Sequence, residues 1–120
     1  MVTYNDMVVD TPLTQDEIDC LFQALADATR RDLLRRAIHC GESVSTLARR
    51  YPMSFAAVQK HVAVLERAAL VTKERRGREQ IVHANGVTLR KAALLLTAYE
   101  QLWIQRVNRI EEILAEEEGK

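Results

Sequence analysis

Between residues 54 and 61 the chain gathers side chains suited to the edges of base pairs. An amide such as Gln59 can pair bidentately with adenine, and small residues such as Ala56 and Ala57 can lie against a thymine methyl. Lys60 can reach a guanine or a phosphate. His61 has two readings: a donor to phosphate, or a partly buried residue that packs the turn. Ser54 and Thr46 stand near expected helix starts, where hydroxyls and free backbone N–H groups suit phosphate. A second group, Arg75, Arg76 and Arg78 around Gly77, places cations at a turn. Such a tip can follow phosphates or enter a narrow minor groove, where negative potential is enhanced. Its plainer use is a solvated, solubilising hairpin.

The charge distribution favours the first use. The 120 residues carry 17 basic and 17 acidic side chains, a net charge of zero. Residues 1–29 hold six acids and no lysine or arginine; residues 30–91 hold fourteen bases and five acids, a balance of +9; residues 92–120 hold three bases and six acids. A phosphate backbone meets the local field of the basic middle, not the average. Double-stranded DNA is therefore the expected partner.

Other chemistry finds less support. There is no Ser-His-Asp order, no glycine-rich phosphate loop and no cofactor motif, so neither an enzyme nor a cofactor is expected. No apolar run approaches the roughly 18 residues that span a bilayer. The first ten residues carry Asp6 and Asp10 and no basic residue, unlike a secretory leader, so a cytoplasmic location is expected. Cys20 and Cys40 are too few for a disulfide framework and read as reduced side chains.

The elements that must position these groups can be read from caps and periods. Residues 1–13 read as a tail, and residues 14–118 as one domain. Thr14 and Glu17 have capping-box spacing, and Ile18, Leu21, Phe22 and Leu25 then share a helix face. Asp27 caps a second helix over 28–39, with Ala28, Leu33, Leu34, Ala37 and Ile38 inward; Gly41 ends it. Ser43 or Ser45 starts a short helix through Tyr51, stopped by Pro52. Ser54 caps a longer one to about Ala68, with Phe55, Val58, Val62 and Leu65 inward. Short helix, tight break and longer helix make a helix-turn-helix. From Leu70 the period changes to that of a β-hairpin turning at Gly77, with Ile81 and His83 on one face of the return strand. Thr88 can cap a last helix over 88–117. The expected fold is mainly α with a small β-hairpin (α+β), a winged helix-turn-helix of four helices, two strands and a fifth helix.

In the last helix Leu89, Leu96, Trp103 and Ile110 recur every seven residues, with Ala92 or Ala93, Tyr99, Val107 and Leu114 beside them. This stripe is too long for one small domain to cover. An internal seam against the first helix is one reading; a homodimer interface shared with Leu21 and Phe22 of that helix is preferred, because exposed apolar stripes mark interaction sites.

The motifs resemble those of the ArsR/SmtB family of winged-helix repressors. Leu25-Ala26-Asp27-Ala28-Thr29-Arg30-Arg31 is similar to its LADPTRR signature, with Ala28 for proline. The run from Met53 to Leu65 resembles its reading helix, and Ala68-Ala69-Leu70-Val71 resembles the AGLV entry to the wing, with alanine for glycine. The resemblance covers about residues 18–115. It implies a dimer through the first and last helices, and operator binding that blocks transcription. The metal-binding motif ELCVCDL of many members is replaced here by Glu42-Ser43-Val44-Ser45-Thr46-Leu47, and a hydroxyl does not substitute for a soft thiolate. Residues 87–120 contain no histidine and no aspartate, so the family's second metal site is absent too. Only Cys20, Cys40, His39 and His83 remain, scattered, so no metal is expected and the chain resembles the metal-ligand-free, autorepressor-like type. Its inducer is left unspecified. The alternatives are a protein-interaction module that has lost DNA binding, and a thiol- or metal-responsive sensor using Cys20 and Cys40.

Overall fold

The computed structural model describes residues 11–119. Residues 1–10, most of the expected tail, lie outside the described residues. Each helix begins where the sequence supplies a cap. Thr14 Oγ1 accepts the Glu17 N–H at 3.2 Å and Glu17 Oε1 accepts the Thr14 N–H at 2.9 Å, opening α1 (Gln15–Leu25). Asp27 opens α2 (Ala28–His39), Ser43 opens α3 (Val44–Ala48) and Ser54 opens α4 (Phe55–Arg67), each accepting a backbone N–H three residues on. Such a cap is worth about 1 kcal/mol. The last helix, α5 (Gly86–Glu118), is capped by Asn85 rather than Thr88, which is buried inside its first turn.

The strands are β1 (Glu42–Ser43), β2 (Val71–Arg76) and β3 (Glu79–Ala84). They form one antiparallel sheet in the order β1-β3-β2. The hairpin alone was expected, so β1 is a correction: it pairs Glu42 with Val82 and Ser43 with Ile81. Two residues cannot display a period of two, and Ser43 already carries the stronger signal of a helix cap. In β3, Ile81 and His83 do share a face: a Cβ added to Gly41 would meet the His83 ring at 2.7 Å and Ile81 Cγ2 at 3.2 Å. Gly41 thus lets the end of α2 pass close over the sheet.

The core joins Leu21 and Ala24 of α1, Leu33, Leu34 and Ala37 of α2, Val44 and Leu47 of α3, Val58, Val62 and Leu65 of α4, and Leu70, Val71 and Val82. Three residues expected inward are exposed instead: Ala28, Ile38 and Phe55. Periodicity places them on the apolar side of their helices, but Ile38 lies in a last turn and Ala28 and Phe55 in first turns, at the rim of the core. Leu21, expected at the dimer seam, is only 2% exposed within its own protomer. It is a core residue and has no surface to give a partner.

α4 ends in a Schellman motif: the Leu70 N–H donates to Leu65 O at 3.0 Å and the Ala69 N–H to Glu66 O at 2.9 Å. Ala69 occupies the left-handed position with φ of 60°. The left-handed region costs an L-residue roughly 1–2 kcal/mol, partly offset by the extra unfolded-state freedom of glycine. Ala69→Gly is therefore expected to stabilise the fold by about 0.5–1 kcal/mol. It should raise the urea midpoint at unchanged slope; an unchanged or lower midpoint would contradict the strain.

α5 leaves the core early. Its only buried residue is Thr88, while Leu89 and Ala92 pack partly on the core. With 33 residues it runs about 50 Å. The radius of gyration is 19.8 Å, against about 14 Å for a compact chain of this length. Leu96, Tyr99, Leu102, Trp103, Ile110, Ile113 and Leu114 are all exposed along this arm. Even so, no helix among the described residues is long and apolar enough to cross a membrane.

Candidate nucleic-acid interface

α3 and α4 meet across the turn at Arg49–Met53, and that turn is tied to α2. The Tyr51 hydroxyl donates to Asp32 Oδ2 at 2.5 Å. Arg35 and Arg36 donate to the same carboxylate at 2.7 and 2.9 Å, and the Arg36 guanidinium lies 5.8 Å from the centre of the Tyr51 ring. The hydrogen bond from Tyr51, then those from Arg35 and Arg36, hold the Asp32 carboxyl far below the usual carboxylate range. Burial, and then the bond to Asp32, pushes the Tyr51 phenol up to about 12. Nothing in the local pattern announces this cluster, because its members are brought together from different elements.

A second tie holds α4 itself. Arg30 donates through Nε to Ala24 O at 2.9 Å and through Nη2 to Gln23 O at 2.8 Å, satisfying carbonyls at the end of α1. Its Nη1 lies 3.3 Å from His61 Nδ1. The same Nδ1 lies 3.9 Å from Asp27 Oδ2. His61 therefore ties α4 to the α1–α2 junction.

The remaining groups on α4 face outward. Ala56, Gln59 and Lys60 are exposed, and Ala57 is half-buried. Ser54 Oγ accepts the Ala57 N–H at 3.1 Å, leaving its hydroxyl proton free to donate. Thr46 is more committed: its N–H donates to Ser43 Oγ at 3.0 Å, and its Oγ1 accepts from that hydroxyl at 2.9 Å.

The wing turns through Gly77 and Arg78, with Arg76 paired to Glu79. Gly77 has φ of 61° and Arg78 does not share it, the pattern of a type II′ hairpin with glycine first. The three wing arginines differ in what they have to spare. Arg76 is paired with Glu74 at 3.0 Å. Glu74 also lies 2.8 Å from His83 Nε2, and Arg76 followed by His83 lowers its carboxyl below the usual range. Arg75 folds back onto Gly77 O at 3.2 Å. Arg78 makes no side-chain hydrogen bond among the described residues. It lines, with Val44, Ser45, Phe55, Gln59, Glu79 and Gln80, a cleft of about 230 Å³ between the helix pair and the wing. Ser45, Phe55 and Gln80 were not anticipated there. The signal for Phe55 was its place one helical turn before Gln59, on the same outward stripe as much as on the inward one.

A reading helix, a preceding helix that braces it and a cationic hairpin beside it define a winged helix-turn-helix. No family model matches the chain. It is 32% identical over 99 residues to the HTH-type transcriptional regulator Rv2034 of Mycobacterium tuberculosis, across 82% of this chain and 90% of that one. Its fold matches an ArsR-like transcriptional regulator from Rhodococcus sp. RHA1 at a TM-score of 0.75 and 35% identity, over 82% of this chain and 90% of that one. The homodimeric winged helix-turn-helix domain of Mb0332 from Mycobacterium bovis shares the fold at a TM-score of 0.59 and 18% identity, over 76% and 91% of the two chains. The chain belongs to the ArsR family of helix-turn-helix transcriptional regulators. It is a DNA-binding regulator of the ArsR type, not an enzyme.

Proposed function

We propose that the protein is a transcriptional repressor that binds an inverted-repeat operator as a homodimer, with α4 in the major groove and the wing on the flanking backbone. The observation that carries this reading is the shared cleft of Gln59 and Arg78. It sets an amide suited to base edges near a guanidinium that makes no side-chain hydrogen bond among the described residues, with Glu79 lining the same cleft, so that one duplex could meet both. Ser54, Ala56, Ala57, Gln59 and Lys60 would face base edges and nearby phosphates. Thr46, His61, Arg75, Arg76 and Arg78 would meet the sugar-phosphate backbone. The dimer would form on Phe22, Leu89, Leu96, Tyr99, Trp103, Val107 and Ile110, the exposed arm supplying most of that surface. Two-fold symmetry then requires half-sites about one or two helical turns apart.

Gel shift and footprinting on the region upstream of its own coding sequence test the proposal. The expected footprint is an imperfect inverted repeat; no retardation at low salt by folded protein would leave a winged-helix interaction module in its place. Substitutions separate the roles. Arg78→Ala should weaken binding on every sequence and reduce the salt slope by about 0.9, the loss of one phosphate contact. Arg76→Ala should do less, because Glu74 already occupies that guanidinium. Gln59→Ala should relax preference at one base pair, by about 1–3 kcal/mol. Uniform loss across all sequences for Gln59→Ala would remove it from direct readout.

A further inference from the structure

α4 buries Val58, Val62 and Leu65 almost completely, and Phe55 continues their apolar period, yet Phe55 is 46% exposed. The helix does not need it in order to start. Ser54 supplies the cap. Met53 and Val58 hold the two positions of a hydrophobic staple, one packed on the core and the other within it. An aromatic side chain is thus left nearly half in water at the first position of the reading helix. That end of the helix is the one that meets base edges in this class of fold. Single exposed apolar residues are ordinary on a protein surface. This one lines the cleft that also holds Gln59 and Arg78.

We propose that Phe55 is a specificity-determining residue that reads the C5-methyl group of a thymine in the major groove. The proposal rests on the DNA-binding reading above. A phenyl ring has no hydrogen bond to offer a base. Base pairs display N7, O6 and O4 acceptors and N4 and N6 amino groups in the major groove, and the thymine methyl is the one apolar group among them. A ring set against any polar group would strip its water and return no hydrogen bond. The chemistry of the side chain therefore selects its target.

The helix limits where that target stands. Phe55 and Gln59 are four residues apart, which is one turn and about 6 Å along the axis. They share a face, and 6 Å is close to two base-pair steps of about 3.4 Å each. A thymine read by Phe55 is thus expected within about two base pairs of an adenine read by Gln59. Ala56 and Ala57 have a single methyl each and reach less far than the ring. The same contact makes binding sensitive to cytosine methylation, because 5-methylcytosine carries its methyl at the same place in the groove.

The test uses the full chain and a duplex selected from random-sequence DNA for tight binding, so that no particular operator is assumed. Each thymine in turn is replaced by deoxyuridine, which deletes the methyl and keeps every hydrogen-bonding group. One thymine in each half-site should respond, with a loss of about fourfold in affinity per methyl and roughly fifteenfold for both. Phe55→Ser should bind the thymine and uracil duplexes equally, whereas Phe55→Leu, still apolar, should keep most of the preference. With a C·G pair at that position, methylating the cytosine should tighten binding by the parent protein about fourfold and leave Phe55→Ser unaffected. Each comparison is made within one protein, with methyl against without, so any change in folding cancels. The proposal is overturned if no uracil substitution weakens binding, even where Phe55→Ser does; the ring would then act away from the methyl groups. It is also overturned if the sensitive thymine stays as sensitive in Phe55→Ser, which would assign the methyl to Ala56 or Ala57. If no duplex is retained from the pool, DNA binding itself fails and the methyl contact with it, a result distinct from retention without methyl dependence.

Discussion

Trp103→Arg is expected to turn the regulator into monomers and to weaken operator binding by roughly 10²–10⁴-fold, the avidity gained when two linked modules bind together. Trp103 is 62% exposed in the isolated protomer, midway along the arm of α5. Leu96 and Tyr99 precede it on the same face, and Val107, Ile110 and Leu114 follow. Most large apolar side chains of the arm are exposed among the described residues, and most of a helix's stability in proteins comes from packing of its apolar face. A second copy is the occupant proposed for that face, and it would place Trp103 near the centre of a seam, where large aromatics carry most of the binding energy. An arginine there would bury an unpaired charge, a cost of several kcal/mol. Arg106 already lies 5.9 Å from the Trp103 ring, so the new cation would also face a like charge. Light scattering gives the mass and gel shift the affinity. A Trp103→Arg protein that remains dimeric would remove α5 from the interface.

Much of this architecture is legible from local signals. Thr14 with Glu17, Asp27 and Ser54 mark three helix starts, because a cap needs only a side chain and a backbone N–H three residues away. Gly77 marks the wing turn for a similar reason. What depends on distant neighbours is not legible. Phe55 and Ile38 satisfy an apolar period, yet whether another element covers them is a property of the assembled fold. Leu21 and Phe22 are adjacent in sequence, and only packing shows that one is core and the other surface. The contact between Arg30 and His61 joins residues 31 positions apart. The types of Gln59 and Arg78 already pointed to nucleic acid, but their common cleft depends on the angle at which the wing leaves the helix. Thr88 is the expected cap of the last helix, yet Asn85 accepts the Val87 N–H and opens it three residues earlier.

Tyr51→Phe is expected to destabilise the fold by about 1.5–3 kcal/mol at neutral pH, the range for a hydrogen bond to a charged group. The phenyl ring can still pack beside Arg36, so the loss is that of the hydroxyl. The pH dependence tests the cause. Unfolded tyrosine titrates near 10, and the folded phenol is raised to about 12. The stability it confers is thus complete below pH 10 and is lost as pH rises towards 12. Asp32 is shifted the other way. Its contribution is complete above the unfolded carboxyl value near 3.9 and fades as pH falls below it. Phenylalanine has no proton to lose, so the gap between the parent and Tyr51→Phe should narrow by roughly 1 kcal/mol per pH unit above 10. It should also narrow under strong acid, as the Asp32 carboxylate is protonated. Urea unfolding at pH 7 and pH 11 reads the alkaline limb directly; titrations common to both proteins cancel in the difference. A gap unchanged at pH 11 would mean that the phenol is not held by Asp32. Because the bond fixes the turn between α3 and α4 to α2, the same variant should bind operator DNA more weakly at pH 7 under conditions where it remains fully folded. Unchanged affinity would restrict the Tyr51–Asp32 bond to stability alone.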